Sequence, residues 1–303
     1  MCGIREKEMR GINVLKWTGF VVFSLFLSTG TACSGSSIPA GQAIAEKGTI
    51  KLTFLGTGAP RPSLRRSGPG ILVEAGPHLF LIDAGSGVRE QIFRAGGWEW
   101  ITGLSTILVT HLHYDHTVDI TDLSLTGWMY GRRVPMEVYG PAGMEEMAHH
   151  FDAAYKWDKD MRRLVGIPMK GSNIVAHDIA PGVIFDKDSL KITAFEVEHM
   201  PINVQTGEKL EFYGQTLGYR IDYKGRSVVF SGDTRSTPAS ELNVFGKDVD
   251  VLVHEVQVPS PGSRRSHEWL CIRTSFRRTQ QPVSSPKKPN HISMAVLSQL
   301  RIS

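Results

Sequence analysis

The chain has 303 residues, 41% of them apolar, which is enough for one large domain and excludes a chain that is disordered overall. A net charge of +4 and a pI near 8.9 permit an anionic substrate without arguing for a dedicated nucleic-acid binder. Three scattered cysteines, Cys2, Cys33 and Cys271, exclude a disulfide framework, and none has a metal-ligand partner nearby in sequence.

Arg5, Lys7, Arg10 and Lys16 precede the apolar run Trp17 to Leu27, and small residues follow. That layout predicts a signal peptide over 1–33, because the run is too short to span a bilayer comfortably. Ala32-Cys33 is similar to the end of a bacterial lipoprotein box, with Gly30 where that pattern prefers leucine, so a lipid anchor at Cys33 and plain secretion both stay open. The expected location is exported, periplasmic or membrane-anchored. Residues 34–48, small and polar, read as a tether.

From Ile50 short strands separated by glycine turns are predicted: Ile50 to Leu55, Ile71 to Glu74, Leu79 to Ile82, Thr106 to Thr110, Met136 to Tyr139, Leu190 to Val197, Thr216 to Tyr223, Ser227 to Phe230 and Val249 to Val253. Helical patterns lie over Gly87 to Ala95 and Ala142 to Tyr155, and the aromatic, charged segment Phe151 to Arg163 reads as an inserted helical arm. Strand-rich blocks with helices outside them predict two packed sheets flanked by helices over 49–262. Beyond Gly262, Arg264, Arg265, Arg273, Arg277, Arg278, Lys287 and Lys288 crowd among prolines with little apolar periodicity, so 263–303 reads as an atypical C-terminal tail, easily removed by proteases.

The chemistry concentrates in Thr106-Ile-Leu-Val-Thr-His-Leu-His-Tyr-Asp-His116. In the extended segment leaving a buried strand, His111 and His113 point to one side, where two imidazoles can meet one ion. Asp115 and His116 fall where the chain turns into a helix and can aim at a second point, which is binuclear spacing. Histidine nitrogens with a carboxylate suit zinc at about 2.0–2.2 Å, with iron or manganese as the less favoured ions. His199 follows the strand Leu190 to Val197, and Asp233 follows Gly232, which lets the backbone turn tightly and present a carboxylate to two ions.

These residues resemble the metallo-β-lactamase-fold hydrolases, most closely the ribonuclease Z-like branch, over roughly Ile50 to Gln257. The resemblance implies a four-layer αββα sandwich. It implies that His111, His113 and His199 hold the first of two zinc ions, that Asp115 and His116 hold the second, and that Asp233 bridges them. A water shared by two cations becomes a hydroxide nucleophile near neutral pH, which Asp115 also orients.

Gly56-Thr-Gly-Ala-Pro-Arg-Pro-Ser-Leu-Arg-Arg66 is similar to the branch's substrate loop, with Arg66 in register as a substrate contact and with Leu64 and Ser67 replacing the branch's lysine and asparagine. His254-Glu255 is similar to the motif whose histidine protonates the leaving group, with Glu255 placed to orient it. Asp83 matches a loop-supporting position. The branch's last histidine ligand has no match near position 276, which is Phe276; His291, 37 residues past His254, is the remaining candidate.

The implied activity is a zinc-dependent phosphodiesterase acting on a phosphodiester or other ester, with RNA as one such substrate. An arylsulfatase-like or lactone-cleaving hydrolase and a catalytically impaired binding homologue stand as alternatives. Oligomeric state is left open.

Overall fold

Alternation of buried and outward side chains decides where each strand packs. The computed structural model describes residues 48–199, 203, 205–208, 210, 215–234, 240–258, 266–273 and 299–302. The expected signal segment, the Cys33 anchor, nearly all of the tether, and His291 lie outside the described residues.

The first sheet contains β1 (Ile50–Gly56), β2 (Gly70–Ala75), β3 (His78–Ile82), β4 (Thr106–Leu108), β5 (Met136–Gly140) and β6 (Ile174–Asp178). The second contains β7 (Gly182–Lys187), β8 (Leu190–Val197), β9 (Thr216–Tyr223), β10 (Arg226–Phe230), β11 (Val251–Val258) and β12 (Ser266–Arg273). A last strand, β13 (Gln299–Ile302), pairs with β1 at the edge of the first sheet.

Helices α1 (Val88–Gly103), α2 (Tyr114–Thr117), α3 (Ile120–Met129), α4 (Met144–Ala154), α5 (Lys156–Leu164) and α6 (Leu242–Phe245) lie between strands. The two sheets bury Leu52, Phe54 and Val73 against Ile192, Tyr219 and Val228. The outer face of the first sheet buries Leu81, Ile107 and Val138 under α1, α3 and α4. On the outer face of the second sheet, Phe195 and Val229 pack with Leu242 of α6, which among the described residues is the helical layer there. This is the αββα sandwich. Each fully buried aliphatic or aromatic side chain contributes about 1.5–3 kcal/mol.

Two expectations change. The strand ending at Thr110 stops at Leu108, because the backbone of Val109 and Thr110 is used elsewhere, as described below. The region assigned to an atypical tail supplies two sheet strands: β12 pairs antiparallel with all eight residues of β11, and Leu300 pairs with Leu52. In Ser-His-Glu-Trp-Leu-Cys-Ile-Arg the β-forming residues are contiguous, a signal outweighed by the surrounding basic and proline-rich composition.

Strands β3, β4, β5 and β6 run parallel, so their C-terminal ends share one rim. That rim is where a parallel sheet gathers its loops and ligands. Gly87 offers α1 no side-chain cap; the Asp119 carboxylate, at the start of α3, accepts from Arg89 N at 3.2 Å instead. Burial there pushes the Asp119 carboxyl up to about 6. Among the described residues no helix is long and apolar enough to cross a membrane.

Candidate metal centre

The loop after β4 is tied down before it reaches its first histidine. Val109 O accepts from the buried Tyr219 hydroxyl at 2.6 Å, and Thr110 O accepts from Leu217 N at 2.8 Å, so β9 of the second sheet holds the loop that leaves the first. Thr110 N donates to Asp83 Oδ1 at 2.8 Å and Thr110 Oγ1 to Asp83 Oδ2 at 2.9 Å. Asp83 sits at φ 58°, an uncommon conformation for a non-glycine residue, held by these bonds. Gly85 has no room for a side chain: a Cβ there would stand 2.3 Å from Asp115 O.

This network fixes which ring nitrogen of each histidine faces the site. The one hydroxyl proton of Thr110 goes to Asp83, so Thr110 Oγ1 accepts from His111 Nδ1 at 3.0 Å and the His111 Nε2 lone pair points inward. His116 Nδ1 donates to Asp83 Oδ2 at 2.9 Å, which turns its Nε2 toward Asp115 Oδ2 at 3.7 Å and Asp233 Oδ1 at 3.6 Å. His111 Nε2 lies 2.8 Å from His113 Nδ1, and His199 Nε2 lies 3.4 Å from the same atom. Two donor clusters result, His111–His113–His199 and His111–His116–Asp233, each with ligand atoms within 4.8 Å of one another. His111 belongs to both.

The charges match a cation site. Burial, reinforced by the neighbouring His116, holds His111 well below its ordinary value and therefore neutral. Burial opposes charge on His116 as well, yet the Asp83 and Asp233 carboxylates outweigh it and lift that ring to about 10. Burial would raise Asp233, but the imidazoles of His116, His111 and His199 keep it ionised well below the usual carboxylate range. Two carboxylates and inward-turned ring nitrogens give this pocket the donors that a metal cation would need. The residues therefore fit a divalent metal, with Asp83 as the outer partner that orients His116. Asp83→Ala is expected to weaken zinc binding about 10–100-fold in a chelator competition, the range for losing such a partner. Unchanged affinity would show that the ring is oriented by something else.

Gly232, at φ 60°, turns the chain so that Asp233 reaches this cluster; a Cβ there would stand 3.0 Å from Leu217 O. Thr234 then donates from Oγ1 to Glu198 O at 3.1 Å, linking the Asp233 turn to the end of β8 that carries His199.

A family model described as the beta-lactamase superfamily domain matches residues 78–270. Ribonuclease Z of Mycobacterium sp. (strain KMS) is 35% identical over 208 residues, covering 68% of this chain and 68% of that protein. The chain belongs to the metallo-β-lactamase superfamily, in its ribonuclease Z-like branch. Ribonuclease Z of Mycobacterium avium (strain 104) is 34% identical over 211 residues, 68% of this chain and 70% of that protein. Among solved structures, human tRNase Z, short form, overlaps with a TM-score of 0.49 at 21% identity, over 67% of this chain and 76% of that one.

The other residues that the ribonuclease Z-like pattern singles out stand around the metal cluster. Asp115 is buried in α2 beside His116. His254 lies on β11, where Nδ1 is held 2.8 Å from Ser231 Oγ. Ser231 gives its own proton to Gly232 O, so His254 Nδ1 is the donor and its Nε2 is the end left to exchange a proton. Burial lowers this ring from its ordinary value.

The expected partnership of Glu255 with His254 is corrected. Successive residues of a strand face opposite ways, and Glu255 Oε1 accepts from Thr234 N at 2.8 Å, holding the Asp233 turn. Ser231, which the sequence reading passed over, does the orienting. Its only signal is its place two residues before Asp233.

Arg66 is half-buried in the loop 57–69. The loop leans on the metal rim through Tyr114 Oη, which donates to Pro60 O at 3.3 Å, and through Gln91 Nε2, which donates to Ser67 Oγ at 3.2 Å.

Proposed function

We propose that this chain is a metal-dependent phosphodiesterase of the ribonuclease Z kind, with zinc as its metal. The observation that carries this reading is the pair of donor clusters sharing His111, with ring nitrogens turned inward by Asp83 and Thr110.

Zinc held by His111, His113, His199, His116, Asp115 and Asp233 would lower the pKa of water and offset charge developing on phosphoryl oxygens. The chain's own groups do the rest. Asp115, buried beside His116, takes a hydrogen bond from the attacking water and aims it. His254 holds a proton at Nε2 for the leaving oxygen, with Ser231 fixing the ring. Arg66 reaches the substrate's phosphate from the loop beside Tyr114.

The curated relatives named ribonuclease Z support RNA as the substrate class. The basic-then-apolar layout of residues 5–27 supports export, and an exported enzyme favours fragments of RNA or other soluble phosphodiesters over precursor transcripts.

Bis-p-nitrophenyl phosphate is expected to be cleaved faster than p-nitrophenyl sulfate, a lactone or a β-lactam at equal enzyme and zinc. Faster cleavage of the sulfate or lactone would move the assignment to those esters. For location, wild type expressed in a Gram-negative host is expected in the membrane pellet, with Cys33→Ser released to the soluble or uncleaved fraction. Full-length wild-type protein confined to the cytosol would overturn export.

A further inference from the structure

The end of the sandwich opposite the metal centre carries a surface that hydrolysis does not use. Because β3 to β6 are parallel, the connections that lead into them from α1, α3 and α5 collect at the end away from the metal rim. The same end receives the start of β1: Ile50 pairs with Ala75, and Lys51 Nζ stands 5.0 Å over the Trp100 ring near the end of α1.

On α5, Trp157, Met161, Leu164 and the following Val165 recur at the spacing of one helical face, and they are 75%, 42%, 75% and 73% exposed. The charged residues of the helix are already engaged, Arg162 with Asp158 at 2.6 Å and Lys159 with Asp152 at 2.6 Å. Trp98 and Tyr130 lie against each other at 4.1 Å at this end, and 47% and 61% of their surfaces stay open. Arg94, four residues before Trp98 on α1, and Lys170, between α5 and β6, are exposed and without a carboxylate partner among the described residues. An apolar stripe of this size left open on a helix is a docking surface by default.

We propose that this end of the domain docks on an anionic lipid bilayer. Exposed tryptophan and tyrosine rings and an apolar helix face at one end of the domain, with unpaired basic groups on the neighbouring segments, match the chemistry of a headgroup boundary. The second support is where the chain enters. Residues before Gly48 join the domain at this same end, and they include the apolar run Trp17 to Leu27 and Cys33. A tether of fifteen residues, 34–48, reaches at most about 50 Å, so the face stays within range of any membrane that holds the N-terminal segment. That tether argument rests on the export reading; the surface itself does not. Docked this way, the domain keeps its metal rim turned toward the aqueous side, open to soluble substrate.

The test uses the full chain carrying Cys33→Ser, so that no acyl group contributes, with phosphatidylcholine vesicles and with vesicles also containing phosphatidylglycerol. Amide hydrogen exchange over residues 156–165 is expected to slow about tenfold on the anionic vesicles relative to the neutral ones. Arg94→Ser and Lys170→Ser are each expected to weaken vesicle binding about fivefold. Leu164→Glu with Val165→Glu is expected to abolish the protection while bis-p-nitrophenyl phosphate hydrolysis stays at the wild-type rate, which also shows that the variant folds; Trp157→Ser gives an independent reading. Three outcomes overturn the proposal: vesicle association with α5 unprotected, protection without vesicles together with a doubled mass, or protection by an RNA oligonucleotide in place of vesicles. Failure of export in cells leaves the vesicle result standing, so the two readings are separable.

Discussion

His111→Ala is expected to strip the protein of zinc and to lower phosphodiester hydrolysis by about 10²–10³-fold, the range for losing a preorganised electrostatic element. The reason is geometric: His111 is the one imidazole common to both donor clusters, buried, neutral, and oriented by Thr110. His199→Ala touches one cluster only and is expected to keep metal on His111, His116 and Asp233. Inductively coupled plasma emission on the purified variants measures both. Equal zinc content in His111→Ala and wild type would sink the assignment, and equal loss in both variants would show that the clusters act as one site.

His254→Ala is expected to lower kcat about 10²–10⁴-fold with zinc content unchanged, the size of a lost general acid. A general acid acts only while protonated. Burial pulls the His254 ring below its ordinary 6.5, so kcat/KM for the free enzyme should fall as pH rises through a point below 6.5. A phosphodiester anion beside the ring favours its charged form, so the corresponding fall in kcat should lie at higher pH. Both limbs should vanish in the alanine variant. Ser231→Ala, which removes the acceptor at Nδ1, should lower kcat less and leave KM unchanged, whereas a purely structural role would move stability and not the profile. A profile unaltered in His254→Ala would assign the leaving-group proton elsewhere.

Local pattern carried most of the sandwich. β8 and β9 run from Leu190 to Val197 and from Thr216 to Tyr223, as their alternation dictates, because each strand buries one face against a dense core. Edge strands were harder to read. β6 and β7 are only partly buried, so their sequences lack a clean apolar face. Helix α3 escaped for the opposite reason: it buries Ile120, Thr121, Ser124 and Trp128, a set that leaves no plain polar stripe. β12 was hidden by its company of arginines and prolines, since composition is averaged over a window wider than one strand.

By itself the sequence determined the candidate metal cluster, because His111, His113, Asp115 and His116 lie within six residues and short-range geometry constrains where they point. It also singled out His199 and Asp233 through their positions just after strands. Only the tertiary structure decided how these groups share their work. The double role of His111, the bond from Thr110 that sets its tautomer, the carboxylate of Asp83 behind His116, and the replacement of Glu255 by Ser231 at His254 all join residues distant in the chain. Such contacts depend on which strands become neighbours, a property of sheet order that no local run of residues encodes.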